Sequence, residues 1–203
     1  RFKMTYPQFF NKIPTIKLQD DLALFLGAFD DGIIEFSYLD VVKSAGHSCP
    51  TVLGAYLMTL KGLEALYENE IPKRGEILVE FKDAQNFGVA GVIGNVIMNI
   101  TGATTTNGFK GLSGKYDRNN LMKFEQNING SNVRFTRLNT QKSVEVTYNA
   151  SSILPHEDMN YLMQKCMQGI ASKEEKTEFA KLWQQRVEEI SSNIEKVVTI
   201  ISL

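Results

Sequence analysis

Apolar and polar positions change period several times along the chain, and each change marks an element. The first 20 residues mix aromatics with Pro7 and Pro14 in no clear period and read as an irregular arm. Two apolar runs follow, Leu22 to Phe29 and Ile33 to Tyr38, separated by Asp30-Asp31-Gly32. Asp-Gly between such runs signals a hairpin, although the first run fits a short helix equally well. Leu39 to Ala45 predicts one or two helical turns ending near Gly46. The clearest helix opens at Pro50, a residue suited to a first helical position, and repeats apolar side chains at Leu53, Tyr56, Leu57, Leu60, Leu63 and Tyr67. Asn69 and Pro72 stop it.

Glu76 to Lys82 alternates Ile77, Val79 and Phe81 with charged neighbours, as a half-buried strand does. Phe87 to Ile100 is almost uncharged and carries Gly88, Gly91 and Gly94 at intervals of three, which predicts a buried helix with close backbone approach along one side. Thr101 to Gly114 reads as a Gly/Thr loop. Leu121 to Gln126, Asn132 to Leu138 and Ser143 to Tyr148 are expected as an antiparallel meander, with Asn129-Gly130 as its first turn. Pro155 opens a helix with Met159, Leu162, Met163, Cys166 and Ile170 on its apolar face. Ser172-Lys173-Glu174-Glu175 is a capping box and starts a last helix. The pattern is that of an α+β fold: a core over residues 1–150, then a helical C-terminal extension over 151–203.

From Ser172 the chain can run as one helix of about 29 residues, roughly 43 Å long. Its Ala180, Trp183, Val187, Ile190, Ile194, Val197 and Ile201 are spaced alternately three and four apart, the spacing of a coiled-coil seam. This predicts a homodimer in which each C-terminal helix packs against its partner.

At 203 residues and 43% hydrophobic content the chain can bury a full core without disulfide or metal staples. The 22 Lys and Arg nearly cancel 23 Asp and Glu, which argues against nucleic acid as a main partner. No apolar run approaches the roughly 20 residues of a membrane span. Only Cys49 and Cys166 are cysteines, so a reducing cytoplasm is the default, and an opening Arg1 in place of Met leaves room for a preceding segment.

The densest chemistry lies in Gly46-His47-Ser48-Cys49-Pro50, just before the long helix. Free N–H groups and the positive dipole end at a helix start favour a thiolate, and an imidazole two residues away can ligate the same ion. Thiolate plus imidazole suits zinc, and other first-row metals accept the pair. A buried small cysteine and a hydrogen-bonded histidine are the plainer alternative. Both a zinc nucleobase deaminase and a thioredoxin-like centre need a Cys-x-x-Cys, which the chain lacks. The Gly/Thr loop with Lys110 has neither P-loop nor dinucleotide-site spacing. Asp83, Gln85 and Asn86 at a strand end are candidate oxygen ligands, or else turn and capping residues. Asp40 is a candidate hydrogen-bond partner for an imidazole, or else a helix cap. His156 fits a solvated helix start, and Cys166 fits the core.

Asp40-Val41-Val42-Lys43-Ser44-Ala45-Gly46-His47-Ser48-Cys49-Pro50 resembles the D-V-V-x-x-H-G-H-x-C-P-G signature of the FmdE family, which takes its name from formylmethanofuran dehydrogenase. The likeness extends through the following helix and strand to Thr101-Gly102-Ala103-Thr104, similar to the family's T-G-C-T, and on to Gly108 to Leu112. The resemblance implies an α+β core that dimerises and holds a metal near the His-x-Cys-Pro loop, without implying formylmethanofuran oxidation. Ala45 stands where the family usually has its first histidine and Thr51 where it has a glycine. Asp83 to Asn86 replaces a cysteine-bearing stretch, Ala103 replaces another cysteine, and the zinc ribbon of some relatives has no counterpart. Two expectations follow. The first is a metal-binding protein using His47 and Cys49, with an enzyme of unknown substrate as its extension. The second is a non-catalytic accessory component of a redox assembly.

Overall fold

The computed structural model describes residues 3–203. One five-stranded sheet, one two-stranded antiparallel sheet and seven α-helices make up an α+β architecture among these residues. The helices are α1 (Asp21–Phe25), α2 (Tyr38–Ala45), α3 (Pro50–Tyr67), α4 (Ala90–Thr101), α5 (Met159–Met167), α6 (Lys173–Ser191) and α7 (Ile194–Val197). The strands are β1 (Ile16–Gln19), β2 (Ile33–Phe36), β3 (Ile77–Phe81), β4 (Met122–Lys123), β5 (Val133–Arg137), β6 (Ser143–Tyr148) and β7 (Val198–Ser202).

Helix α3 is the centre of the fold. It begins at Pro50, as its sequence predicts, and Leu53, Tyr56, Leu57, Leu60 and Leu63 are all buried. Burying side chains of this size contributes about 1.5–3 kcal/mol each. One side of α3 packs on β5, β6 and β7, while α2, α4 and α6 pack on its other sides. Two glycines permit the sheet to come this close. A Cβ on Gly54 would overlap the Tyr148 ring, and one on Gly62 would lie 2.7 Å from Phe135.

The N-terminal arm is more regular than expected. Gln8–Lys12 forms a short 3-10 turn, and Ile16–Gln19 is strand β1, paired antiparallel with β2. The Leu22–Phe29 run takes its helical alternative, because Asp20 accepts the N–H groups of Leu22 and Ala23 and so caps α1.

The three-strand meander is corrected. Strand order is β4-β3-β5-β6-β7, and β4 runs parallel to β3 on the side away from β5. Strand β3 takes the place beside β5 because Val79 and Phe81 pair with Phe135 and Val133, all four of them buried. The leading segment keeps only Met122 and Lys123 as strand, while the Leu121 and Met122 N–H groups both turn to the Thr104 carbonyl. Helix α4 starts at Ala90, leaving Phe87 exposed and Gly88 outside the helix.

The long C-terminal helix is corrected too. Its capping box is present: Ser172 Oγ accepts the Glu175 N–H at 3.1 Å, and Glu175 accepts the Ser172 N–H at 2.9 Å. But α6 ends at Ser191, α7 is a single turn, and β7 then pairs antiparallel with β6 from Tyr148↔Val198 to Val144↔Ser202. Val197 to Ile201 is an unbroken run of β-branched residues, which fit a pleated surface better than a helix. Val187, Ile190 and Val197 from the supposed seam are buried in the chain's own core. Most of the apolar strip that predicted a helix-to-helix dimer is therefore covered within one chain, with Ala180 and Ile201 left exposed.

Candidate metal centre

Helix α2 is set by a capping box in which Ser37 and Asp40 serve each other. Asp40 Oδ2 accepts the Ser37 N–H at 2.9 Å, Ser37 Oγ accepts the Asp40 N–H at 3.2 Å, and Lys43 Nζ reaches Asp40 Oδ1 at 3.3 Å. Burial raises the Asp40 carboxyl, but the Ser37 N–H and hydroxyl and the Lys43 ammonium outweigh it and hold it below its ordinary value. Gly46 at φ 79° closes α2 and delivers the chain into the His47–Cys49 loop, as only a left-handed residue does without strain.

His47 is exposed, with Nδ1 3.1 Å from the Ala45 carbonyl. A carbonyl only accepts, so Nδ1 carries a proton, and in the neutral ring the lone pair is on Nε2. The ring lines a groove of about 180 Å³ between α2 and α4, shared with Ser44, Asn95 and Asn99. Cys49 caps α3: its half-buried Sγ accepts the Val52 N–H at 3.4 Å.

Ser48, between the two, turns inward. Its hydroxyl shares a 2.8 Å hydrogen bond with the Tyr38 phenol. Its carbonyl accepts both Trp183 Nε1–H and Gln184 Nε2–H, each at 3.0 Å. Tyr148 donates to the Pro50 carbonyl at 2.8 Å. Burial pushes the Tyr38 phenol well above its ordinary value despite the Ser48 bond, with Cys49 adding to the rise. It pushes Tyr148 up to about 12, against the opposing charge of Arg186 and with a further rise from Cys49. Both phenols therefore remain neutral beside the thiol.

A family model described as FmdE, molybdenum formylmethanofuran dehydrogenase operon, matches residues 45–199, more than half of the chain. The chain belongs to this family. The matched region begins at Ala45, just before the His-x-Cys-Pro loop, and reaches into β7, so both sides of residue 150 lie within it. No curated protein matches the sequence.

In this family member the other candidate ligands come from elements outside the loop. Asp83, Gln85 and Asn86 are exposed on the turn after β3, and Gln85 borders a narrow cleft with Thr105 and Asn107. Asp40 is occupied by its cap. Among the described residues no group of three or more His, Cys, Asp or Glu side chains is placed to hold a metal. The loop's own donors are one imidazole and one thiol, two residues apart in the chain. His156 Nδ1 accepts the Asp158 N–H at 3.2 Å at the start of α5, and Cys166 is half-buried on α5 beside an apolar groove. The Gly/Thr loop closes on itself, Asn119 Oδ1 accepting the Gly108 N–H at 2.7 Å, with Lys110 exposed.

Tyr38, Tyr148, Trp183 and Gln184 were invisible as site residues in the sequence. They reach the loop from three elements, α2, β6 and α6, and no local spacing signals that. No helix among the described residues is long and apolar enough to cross a membrane.

Proposed function

We propose that the His47-Ser48-Cys49 loop binds a transition metal ion, zinc most readily, through His47 Nε2 and Cys49 Sγ. The observation that carries this reading is the pairing of an imidazole with a free Nε2 and a thiol at a helix N-terminus, two residues apart on one held loop. Two protein ligands leave positions for water or substrate, as a reactive metal requires. When bound, such a metal supplies Lewis-acid activation at the mouth of the α2–α4 groove. His47 lines that groove, and Ser44, Asn95 and Asn99 beside it offer hydrogen bonds to a polar ligand.

Equilibrium dialysis against zinc, followed by elemental analysis, tests the reading. About one equivalent is expected in the wild type, with near-complete loss in His47→Ala plus Cys49→Ala, which still unfolds cooperatively but melts lower for want of the α3 cap. Equal metal in the double variant overturns it.

A second reading, an accessory component of a formylmethanofuran dehydrogenase-type assembly, is favoured by the family's description and by α1. That helix has no buried residue, and Leu24, Phe25, Leu26 and Phe29 around it stand half or more exposed. Contiguous exposed apolar side chains mark interaction sites. Co-purification from the native source with stable partner chains supports this reading. Isolation of the chain alone counts against it.

A further inference from the structure

The His47–Cys49 loop lies near the start of the fold, yet what holds its middle residue comes from α6, more than 130 positions later. Trp183 and Gln184 are adjacent on α6 and send their N–H groups to one acceptor, the Ser48 carbonyl. A carbonyl oxygen has two lone pairs, and both are taken. Because Nε2 of Gln184 must face a carbonyl, the amide orientation is set, and its Oε1 is left buried without a partner. A buried acceptor left unpaired costs stability. That cost is accepted here to direct the amide N–H at the loop.

Ser48 is consequently gripped at both ends of the residue, with Tyr38 on its hydroxyl and α6 on its carbonyl. His47 and Cys49 flank it. Tyr148 fixes the carbonyl of Pro50, just beyond Cys49. The side chains on either side of Ser48 therefore inherit their placement from α6, the segment whose spacing reads in sequence as a dimerisation helix.

We propose that Trp183 and Gln184 are positioning residues for the His47–Cys49 pair, setting the loop in which imidazole and thiol are presented together. This rests on the metal-binding reading for its consequence, but the placement itself is measurable without metal. Trp183→Phe keeps an aromatic ring beside Phe179 and removes the N–H, while Gln184→Met keeps the length and removes both the donor and the orphan acceptor. Val187→Ala, one turn further along α6 and fully buried, is the control: it weakens the same helix without touching Ser48.

The test uses the full chain carrying Cys166→Ser, so that Cys49 is the sole thiol. Iodoacetamide rates are measured well below every melting temperature, and each variant is titrated with Co(II) while its thiolate charge-transfer band is followed. The Trp183→Phe/Gln184→Met variant is expected to raise Cys49 alkylation about tenfold, as loss of two hydrogen bonds loosens the loop, and to weaken the Co(II) band. Val187→Ala is expected to leave both unchanged although it melts lower. An unchanged alkylation rate in the double variant overturns the proposal, as does an equal rise in Val187→Ala. If the wild type shows no Co(II) band, the metal reading fails, and the alkylation rates still decide the positioning role.

Discussion

Arg118 donates from Nη2 to Asp20 Oδ1 at 2.7 Å across 98 residues of chain, and both side chains are almost wholly buried. Arg74 takes the other carboxylate oxygen, with Nη1 3.0 Å from Oδ2, and its remaining donors reach the Asn99 and Ile100 carbonyls at the end of α4. One carboxylate thereby ties the end of β1, the start of α1, the end of α4 and the loop before β4.

Removing Asp20 leaves two guanidinium groups without their counter-charge, one of them almost wholly buried. Asp20→Ala is expected to destabilise the protein by about 3–5 kcal/mol in urea denaturation. A loss under about 1 kcal/mol would mean that water already screens the cluster. Burial raises the Asp20 carboxyl, but the Arg74 hydrogen bond, the Arg118 charge and hydrogen bond, and the Ala23 N–H outweigh it and hold it below its ordinary 3.8. A depressed folded value means that this stability is complete above the ordinary carboxylate range and is lost as pH falls through the folded value. Urea midpoints should stay level down to about pH 5 and then fall, with a smaller fall in Asp20→Asn.

Gly75 sits at φ 82°, directly beneath the Arg118 guanidinium. An alanine there combines left-handed strain with overlap on a side chain that its ion pair holds in place. Gly75→Ala is expected to cost about 2–4 kcal/mol. Gly114→Ala, at φ 78° with open space around it, is expected to cost about 1–2 kcal/mol from strain alone. Thermal melts of the two compare the terms, and equal losses would mean that Arg118 moves aside freely.

Ile190 is fully buried and belongs to the main core. Ile190→Ala is expected to cost about 2–5 kcal/mol through the cavity it leaves. Sedimentation equilibrium should show the same association state as the wild type. A shift in association without a loss of stability would restore the interchain seam.

What the sequence determined by itself was whatever rests on neighbours a few residues apart. Pro50 at a first helical position, the Ser172–Glu175 capping box, the alternation of Ile77, Val79 and Phe81, and the β5–β6 hairpin are local devices, and each is present in the structure. The placement of Cys49 at the cap of α3 follows from the same kind of signal. The β-branched run at Val197–Ile201 was also a local signal, but a three-four spacing of apolar residues overlaid it, and the two readings cannot be told apart without knowing what lies alongside. Tertiary structure decided it, because the free edge of β6 supplies ladder hydrogen bonds that β7 can make and the core supplies a surface for Val187 and Ile190. The parallel placement of β4, the burial of Asp20 between two arginines and the grip of Trp183 and Gln184 on Ser48 are of the same kind. Each joins residues from 40 to more than 130 positions apart, and such contacts depend on how the packed elements face one another rather than on any spacing along the chain.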